Sequence, residues 1–264
     1  MLRALARIRV TAAYAAILTG VTTALVTAGP RTTSRVIGHA STNLHNLSHG
    51  HIGTLFVSAF VVDAGPIYVW LPGLVCLLAV AELIWRSGRL LIAFAVGHVG
   101  ATLLVAIGLT AAVEIGWMST DVTRATDVGM SYGASAALGA LTAAIPRRWR
   151  PAWTGWWVAV AATVVGMNRD FTDVGHAVAL ILGMLVATRF GRAGGWTAPR
   201  VVLLGVGAAF GYLMLTNGGM TVVPATCLGL AGAALGEGIV GRRRARALAE
   251  RPAGTGCALS SGIA

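Results

Sequence analysis

The stretch DVGMSYGASAALG, from Asp127 to Gly139, is the one on which both the fold and the chemistry of the chain depend. It places Ser131 a few residues inside an apolar segment, among glycines and alanines. A second stretch, DVGHAVALILG, places His176 at a similar position in another apolar segment. Small residues let neighbouring helices approach closely in lipid, so the two segments can pack together. A serine and a histidine at matching positions are candidates for a nucleophile and its general base.

The composition is that of a membrane protein that crosses the bilayer several times. Of the 264 residues, 56% are hydrophobic and only 11% are charged, and the mean hydropathy is strongly positive. A spanning helix needs about 20 apolar residues, and the sequence contains several such runs. We therefore expect an all-α polytopic membrane protein without a soluble domain of useful size.

The basic residues, all of them arginines, predict the topology. Most of them lie in alternate loops, near residues 3–9, 86–89, 147–150, 189–200 and 242–251. Only Arg31, Arg35, Arg124 and Arg169 lie in the intervening loops. Because arginine-rich loops remain in the cytoplasm, we expect about eight spans in the plasma membrane with both termini cytoplasmic. The basic tail then faces anionic lipid, which we favour over binding of nucleic acid.

The predicted spans form a core and an addition. Residues 1–192 contain six spans, near 10–28, 68–85, 90–113, 128–145, 153–167 and 173–190, and residues 193–241 contain two more, near 201–216 and 221–240. The first apolar run is long for a signal peptide, so we interpret it as an uncleaved span. Residues 51–62 are too few to span, and we expect them to insert partly at the outer face. Residues 242–264 are expected to form a disordered cytoplasmic tail.

No metal or cofactor is predicted. Cys76, Cys227 and Cys257 are widely spaced and follow no ligand pattern. In the predicted topology His98 and His176 lie toward opposite halves of the bilayer, which argues against a haem held between them. We expect His98 to be a packing residue with a hydrogen bond between helices, and we interpret Glu82, near the inner end of the second span, as structural.

An acidic residue lies a few residues before each candidate site residue. Asp127 and Asp173 precede Ser131 and His176, and we expect each carboxylate to cap the helix that follows it. Asp173 is also a candidate for tuning His176. Taken singly, Ser131 and His176 would each suit a hydrogen bond between helices, so a catalytic role depends on whether they meet.

The residues Gly129-Met130-Ser131, followed by His176 and Gly183, resemble the rhomboid family of intramembrane serine proteases. In that family the serine belongs to a GxSG motif on span four, and the histidine to an HxxGxxxG pattern on span six. The resemblance covers about residues 12–190 and implies a rhomboid-like six-helix core followed by a C-terminal helical hairpin. It also implies that Ser131 and His176 form a catalytic dyad, which cleaves a transmembrane protein substrate near the outer face of the membrane.

The resemblance also implies where the oxyanion donors lie. The family uses a histidine and an asparagine, four residues apart, at the start of span two. Alignment of the region HNLSHGHIGTLFVS places Thr54 and Ser58 at these positions. His49 and Asn46, in the adjoining loop, are candidate replacements, and Gly129 completes the expected supporting set.

The sequence departs from the family pattern at three positions of the site. Tyr132 occupies the fourth position of GxSG, Ala179 replaces the first glycine after the histidine, and Ser135 stands where the family has a tyrosine that stacks on the histidine. Three functions therefore remain open. The chain is an intramembrane serine protease, a rhomboid-like protein that binds membrane partners without cleaving them, or an unrelated transporter or redox protein.

Overall fold

The computed structural model of the chain describes residues 6–62 and 65–249, together with the side chains up to residue 242. Every regular element within these residues is helical. Ten α-helices, numbered here in chain order, are α1 Arg9–Ala28, α2 Pro30–Ala40, α3 Leu44–Ser48, α4 Thr54–Val57, α5 Ile67–Glu114, α6 Ser131–Leu141, α7 Arg150–Asn168, α8 Phe171–Ala187, α9 Ala198–Thr216 and α10 Val222–Ala249. Two 3₁₀ turns, Ser58–Phe60 and Thr120–Arg124, accompany them.

Four of the described helices are long and apolar enough to cross a membrane. They are α1, α5, α9 and the part of α10 from Val222 to Arg242. Helix α5 is 48 residues long, but its backbone breaks at Arg86, so it consists of two consecutive limbs. These limbs correspond to the second and third predicted spans. The expected all-α polytopic membrane protein is therefore confirmed, whereas the number of spans remains a prediction.

The bundle has two distinct ends. We call the end that contains the start of α1, the break in α5 and the start of α9 the arginine end, and the opposite end, where α6 and α8 begin, the serine end. A hydrogen bond from the Gly194 amide to the Ile84 carbonyl, 3.0 Å long, joins two of the segments at the arginine end.

One predicted boundary changes in the structure. Helix α10 continues to Ala249, so residues 242–249, which we expected in a disordered tail, are helical. Residues 250–264 lie outside the described residues. Residues 51–62 contain only the one-turn helix α4 and a 3₁₀ turn, and their partial insertion remains a prediction.

Helix α6 lies at the centre of the bundle, between α5 and α8. Its residues from Tyr132 to Leu141 are all buried. A Cβ added at Gly139 would overlap the backbone of Leu180, and one at Gly183 would overlap the backbone of Ala136. Because burial of apolar surface gives little drive between helices in lipid, this close backbone approach is what holds α6 against α8.

The buried carboxylate of Glu82 joins α1 to the first limb of α5. It accepts hydrogen bonds from the backbone amides of Val10 (3.0 Å) and Thr11 (2.8 Å). It also accepts from the hydroxyls of Thr11 and Ser87, both at 2.7 Å. Amides in the first turn of a helix lack intrahelical acceptors, and the helix dipole favours a negative charge there. Glu82 therefore has the structural role that we expected.

Replacing Glu82 with alanine tests this connection. The change leaves the first-turn amides of α1 without an acceptor, so we expect the free energy of unfolding to fall by about 3 kcal/mol or more, at roughly 1–3 kcal/mol for each buried donor left unpaired. Ser87→Ala removes one of the four bonds and should cost about 1 kcal/mol. Denaturant unfolding of the purified protein in detergent measures both, and equal stability of Glu82→Ala and wild type would contradict the role of Glu82.

The contact between α6 and α8 gives a second prediction. In Gly183→Ala the added methyl group meets the backbone of Ala136, which cannot move aside as a side chain can. We expect a loss of about 1–3 kcal/mol of stability. The matched control is Gly108→Ala in α5, where nothing lies within 4 Å of the added Cβ and where alanine should be neutral or slightly stabilising. Similar unfolding curves for the two variants would contradict the packing described here.

Candidate active site

The loop before Ser131 is held in place by two other segments. The Gly129 amide donates to the carbonyl of Ser58, and the Thr42 amide donates to the carbonyl of Asp127, both at 2.9 Å. The Asp127 amide in turn donates to the hydroxyl of Ser41 at 2.9 Å. The structure therefore brings the backbone of Ser58 and Gly129 together at the start of α6.

Ser131 is the first residue of α6 and is half-buried. We expect it from the sequence a few residues inside the apolar segment, and the structure corrects this prediction, because the helix starts at Ser131 itself. Gly129 has φ +125°, a backbone conformation that suits glycine and is incompatible with a right-handed helix. The helix therefore begins only after this residue.

The start of α6 presents free backbone donors beside the Ser131 hydroxyl. Among the described residues, the amides of Ser131, Tyr132 and Gly133 have no acceptor, and the first bond at this end runs from the Ala134 amide to the Met130 carbonyl. Such orphan donors are expected at the N-terminus of a helix, where they and the helix dipole favour a negative charge.

His176 lies on α8 with 8% of its surface exposed. Both of its ring nitrogens are buried, and neither has a hydrogen-bond partner among the residues that the structure describes. Its Nδ1 lies 3.8 Å from Oδ1 of Asp173, which is longer than a hydrogen bond. Most buried polar groups are hydrogen-bonded, so an imidazole with two unpaired nitrogens is unusual.

Tyr132 connects the serine helix to this histidine. Its ring packs edge-on against His176, with 5.3 Å between the ring centroids and 81° between the planes. Gly175 leaves room for the ring, because a Cβ at that position would overlap it. Tyr132 thus provides the aromatic contact with the histidine. In the resemblance, the tyrosine that makes this contact aligns with Ser135, and the sequence pattern did not predict the replacement.

Ser131 and His176 lie at the same end of adjacent helices, but the described structure contains no hydrogen bond between their side chains. Tyr132, which directly follows Ser131, contacts both Gly175 and His176. This contact brings the start of α6 to the level of His176, which is the sixth residue of α8.

The two aligned oxyanion positions are engaged in other hydrogen bonds. The Thr54 hydroxyl donates to the carbonyl of His51 at 2.7 Å. The Ser58 hydroxyl lies 3.1 Å from Nε2 of His98, in the buried interior. His98 therefore bonds between segments, as its expected structural role required. The sequence offered no signal for its pairing with Ser58, because 40 residues separate the two.

The two candidate replacements from the loop are engaged as well. The side-chain amide of Asn46 donates to the carbonyls of Gly38 (3.0 Å) and Ser41 (2.7 Å). His49 is exposed, and its Nδ1 lies 2.7 Å from the carbonyl of His45. Both side chains therefore stabilise the loop in the structure.

The predicted caps are wrong at both helices. Met130 occupies the N-cap of α6, and no side chain caps that helix. The cap of α8 is Asp170, whose carboxylate accepts from the Thr172 amide at 2.8 Å. Asp173 lies in the first turn of α8 and accepts instead from the side chain of Asn168 at 2.9 Å.

Comparison with known families identifies the family of the chain. A family model described as rhomboid-like protein matches residues 6–191, which is more than half of the chain. The chain belongs to the rhomboid-like protein family. This membership confirms the resemblance and removes the hypothesis of an unrelated transporter or redox protein. Searches of curated proteins and of solved structures returned no match. Helices α9 and α10 of this rhomboid-like protein follow the matched region.

Asp127, in the loop before α6, gives a pH-dependent prediction. Burial raises the pKa of its carboxyl group from 3.8 to about 6. A pKa that is higher in the folded state stabilises the protein at low pH, and this stabilisation is lost as the pH rises from about 4 through about 6. Asp127→Asn should therefore melt at a higher temperature than wild type at pH 7.5, and the difference should shrink toward pH 4. The control is Asp121→Asn, an exposed position in the same loop, and a pH-independent difference for Asp127→Asn would contradict the assignment.

Proposed function

We propose that this rhomboid-like protein is an intramembrane serine protease with Ser131 as the nucleophile and His176 as the general base. The unpaired imidazole of His176 supports this function above all, since it lies at the level where Ser131 begins α6. A nucleophile and its base must come within hydrogen-bond reach during the reaction, and this distance is often longer without substrate.

The proposed reaction begins when Oγ of Ser131 attacks the carbonyl carbon of the scissile peptide bond and its proton passes to His176. Asp173 lies on the Nδ1 side of the ring, which leaves Nε2 to accept this proton. The leaving amine then takes the proton from His176 as the carbon–nitrogen bond breaks. Water hydrolyses the resulting ester of Ser131 by the same two steps and restores the enzyme.

The tetrahedral intermediate needs donors for its oxyanion. The unpaired amides at the start of α6, those of Ser131, Tyr132 and Gly133, are suited to this role because they are fixed and lie beside the nucleophile. Thr54 and Ser58 would first have to break their bonds to His51 and His98. We therefore assign the main stabilisation to the backbone, with Gly129 setting the start of the helix.

The substrate in this proposal is a transmembrane protein that reaches the site from the surrounding bilayer. The serine end then faces the outside of the cell membrane, and both termini are cytoplasmic, as the arginine distribution favours. A peptide bond near the membrane surface would be cleaved, since Ser131 starts a helix rather than lying at its middle.

A second function, binding of membrane partners without proteolysis, is favoured by a different observation. The ring of Tyr132 covers His176 on one side, and the four side chains expected to support the oxyanion are engaged elsewhere. In this case α6 and α8 form a closed packing surface, and Ser131 is a small residue at its edge.

Labelling with a fluorophosphonate distinguishes the two functions without knowledge of the substrate. In purified full-length protein, Ser131→Ala should abolish labelling, and His176→Ala should reduce its rate by at least about 10³-fold. The matched control is Ser135→Ala, which removes a fully buried and unpaired hydroxyl one turn deeper in α6 and should label like wild type.

Cleavage of a transmembrane reporter in proteoliposomes provides the second measurement. Wild type and Ser135→Ala should cleave it at similar rates, whereas Ser131→Ala should be inactive. Labelling that persists in Ser131→Ala would exclude this residue as the nucleophile. If wild type neither labels nor cleaves, the non-proteolytic function is supported instead.

A further inference from the structure

A second polar site lies at the arginine end, away from Ser131. It is a cavity of about 460 Å³ between the segment before α1, the break in α5 and the start of α9. Four arginines line it, contributed by all three segments: Arg7, Arg9, Arg86 and Arg200. These side chains converge from positions far apart in the sequence, so the tertiary structure rather than a local charge run creates the cluster.

The positive charge of this cavity is largely uncompensated. Its only carboxylate among the described lining residues is Glu82, and that group already accepts four hydrogen bonds from α1 and Ser87. None of the four arginines forms a salt bridge within the described part of the chain. Arg9 donates only to the Ser87 hydroxyl, at 3.4 Å, and Arg200 donates to the carbonyl of Gly195.

The backbone at Arg86 is strained. Its φ of 67° and ψ of 160° fall in a region that is essentially restricted to glycine. Residues persist in such conformations where the surrounding structure fixes them, and they are concentrated at functional sites. A glycine at position 86 would relieve this strain, but it would remove a guanidinium group from the cavity.

We propose that this cavity binds the phosphate group of an anionic ligand, either the head group of an acidic phospholipid or a small soluble phosphate compound. Guanidinium groups bind phosphate through paired, charge-assisted hydrogen bonds. The volume is within the usual range for small-molecule sites, and basic pockets between membrane helices are suited to anionic head groups. The bound phosphate would connect α1, the break in α5 and α9.

Thermal unfolding of the full-length protein in a neutral detergent tests this binding. The probes are short-chain phosphatidylglycerol, short-chain phosphatidylcholine and inorganic phosphate. A ligand that binds the folded state raises the unfolding temperature in proportion to the logarithm of its concentration. We expect phosphatidylglycerol to raise it and phosphatidylcholine to have little effect. If inorganic phosphate also raises the unfolding temperature, the ligand class is a soluble phosphate compound. If phosphatidylglycerol alone raises it, the ligand is the lipid head group.

One double variant and a matched control locate the site. Arg7→Gln combined with Arg200→Gln should weaken the apparent affinity for phosphatidylglycerol at least about tenfold. The control, Arg147→Gln combined with Arg148→Gln, removes two exposed arginines at the same end but outside the cavity and should bind like wild type.

Arg86→Gly separates binding from folding. It relieves the strained φ, so the protein without ligand should unfold at a higher temperature than wild type, while the rise caused by phosphatidylglycerol should become smaller. The proposal would be overturned if phosphatidylglycerol raised the unfolding temperature of both cavity variants as much as that of wild type. Equal effects of phosphatidylglycerol and phosphatidylcholine on wild type would also overturn it, and so would the absence of an effect of any probe.

Discussion

The close backbone contact between α6 and α8 is the constraint on which the candidate site depends. Gly139 and Gly183 remove the side chains that would otherwise separate the two helices. With the helices this close, the ring of Tyr132 must lie over Gly175 and against His176. The position of the histidine relative to the start of α6 is thus a consequence of packing, because no hydrogen bond between Ser131 and His176 sets it in the described structure.

The features that the sequence predicted are those with a local or periodic cause. Small residues along two apolar segments predicted that the Ser131 and His176 helices can pack together, and the long apolar runs predicted an all-helical membrane bundle. The start of α6 could not be read in this way. It depends on the conformation of Gly129, which a hydrogen bond from its amide to Ser58, distant in sequence, holds in place.

The supporting side chains were predicted less well because their partners come from elsewhere in the fold. Alignment identified Ser58 by position, but only the tertiary structure pairs its hydroxyl with His98. Asp127 and Asp173 have the residue type and location of helix caps, yet the chain turns so that Met130 and Asp170 occupy those positions. Residue type therefore predicted that these polar groups form hydrogen bonds, but it did not predict the partner of each one.

The polar groups at the two ends of the bundle differ in their hydrogen bonding. At the arginine end, the carboxylate of Glu82 accepts four hydrogen bonds from α1 and Ser87. It forms no salt bridge with the surrounding guanidinium groups, which therefore have no carboxylate partner among the described residues. At the serine end, His176 and the first amides of α6 have no hydrogen-bond partner among the described residues. Unpaired polar groups inside a packed membrane bundle reduce its stability. A bound substrate would supply hydrogen-bond partners to the buried groups at the serine end, whereas a bound anion would neutralise guanidinium groups that are exposed or only partly buried at the arginine end.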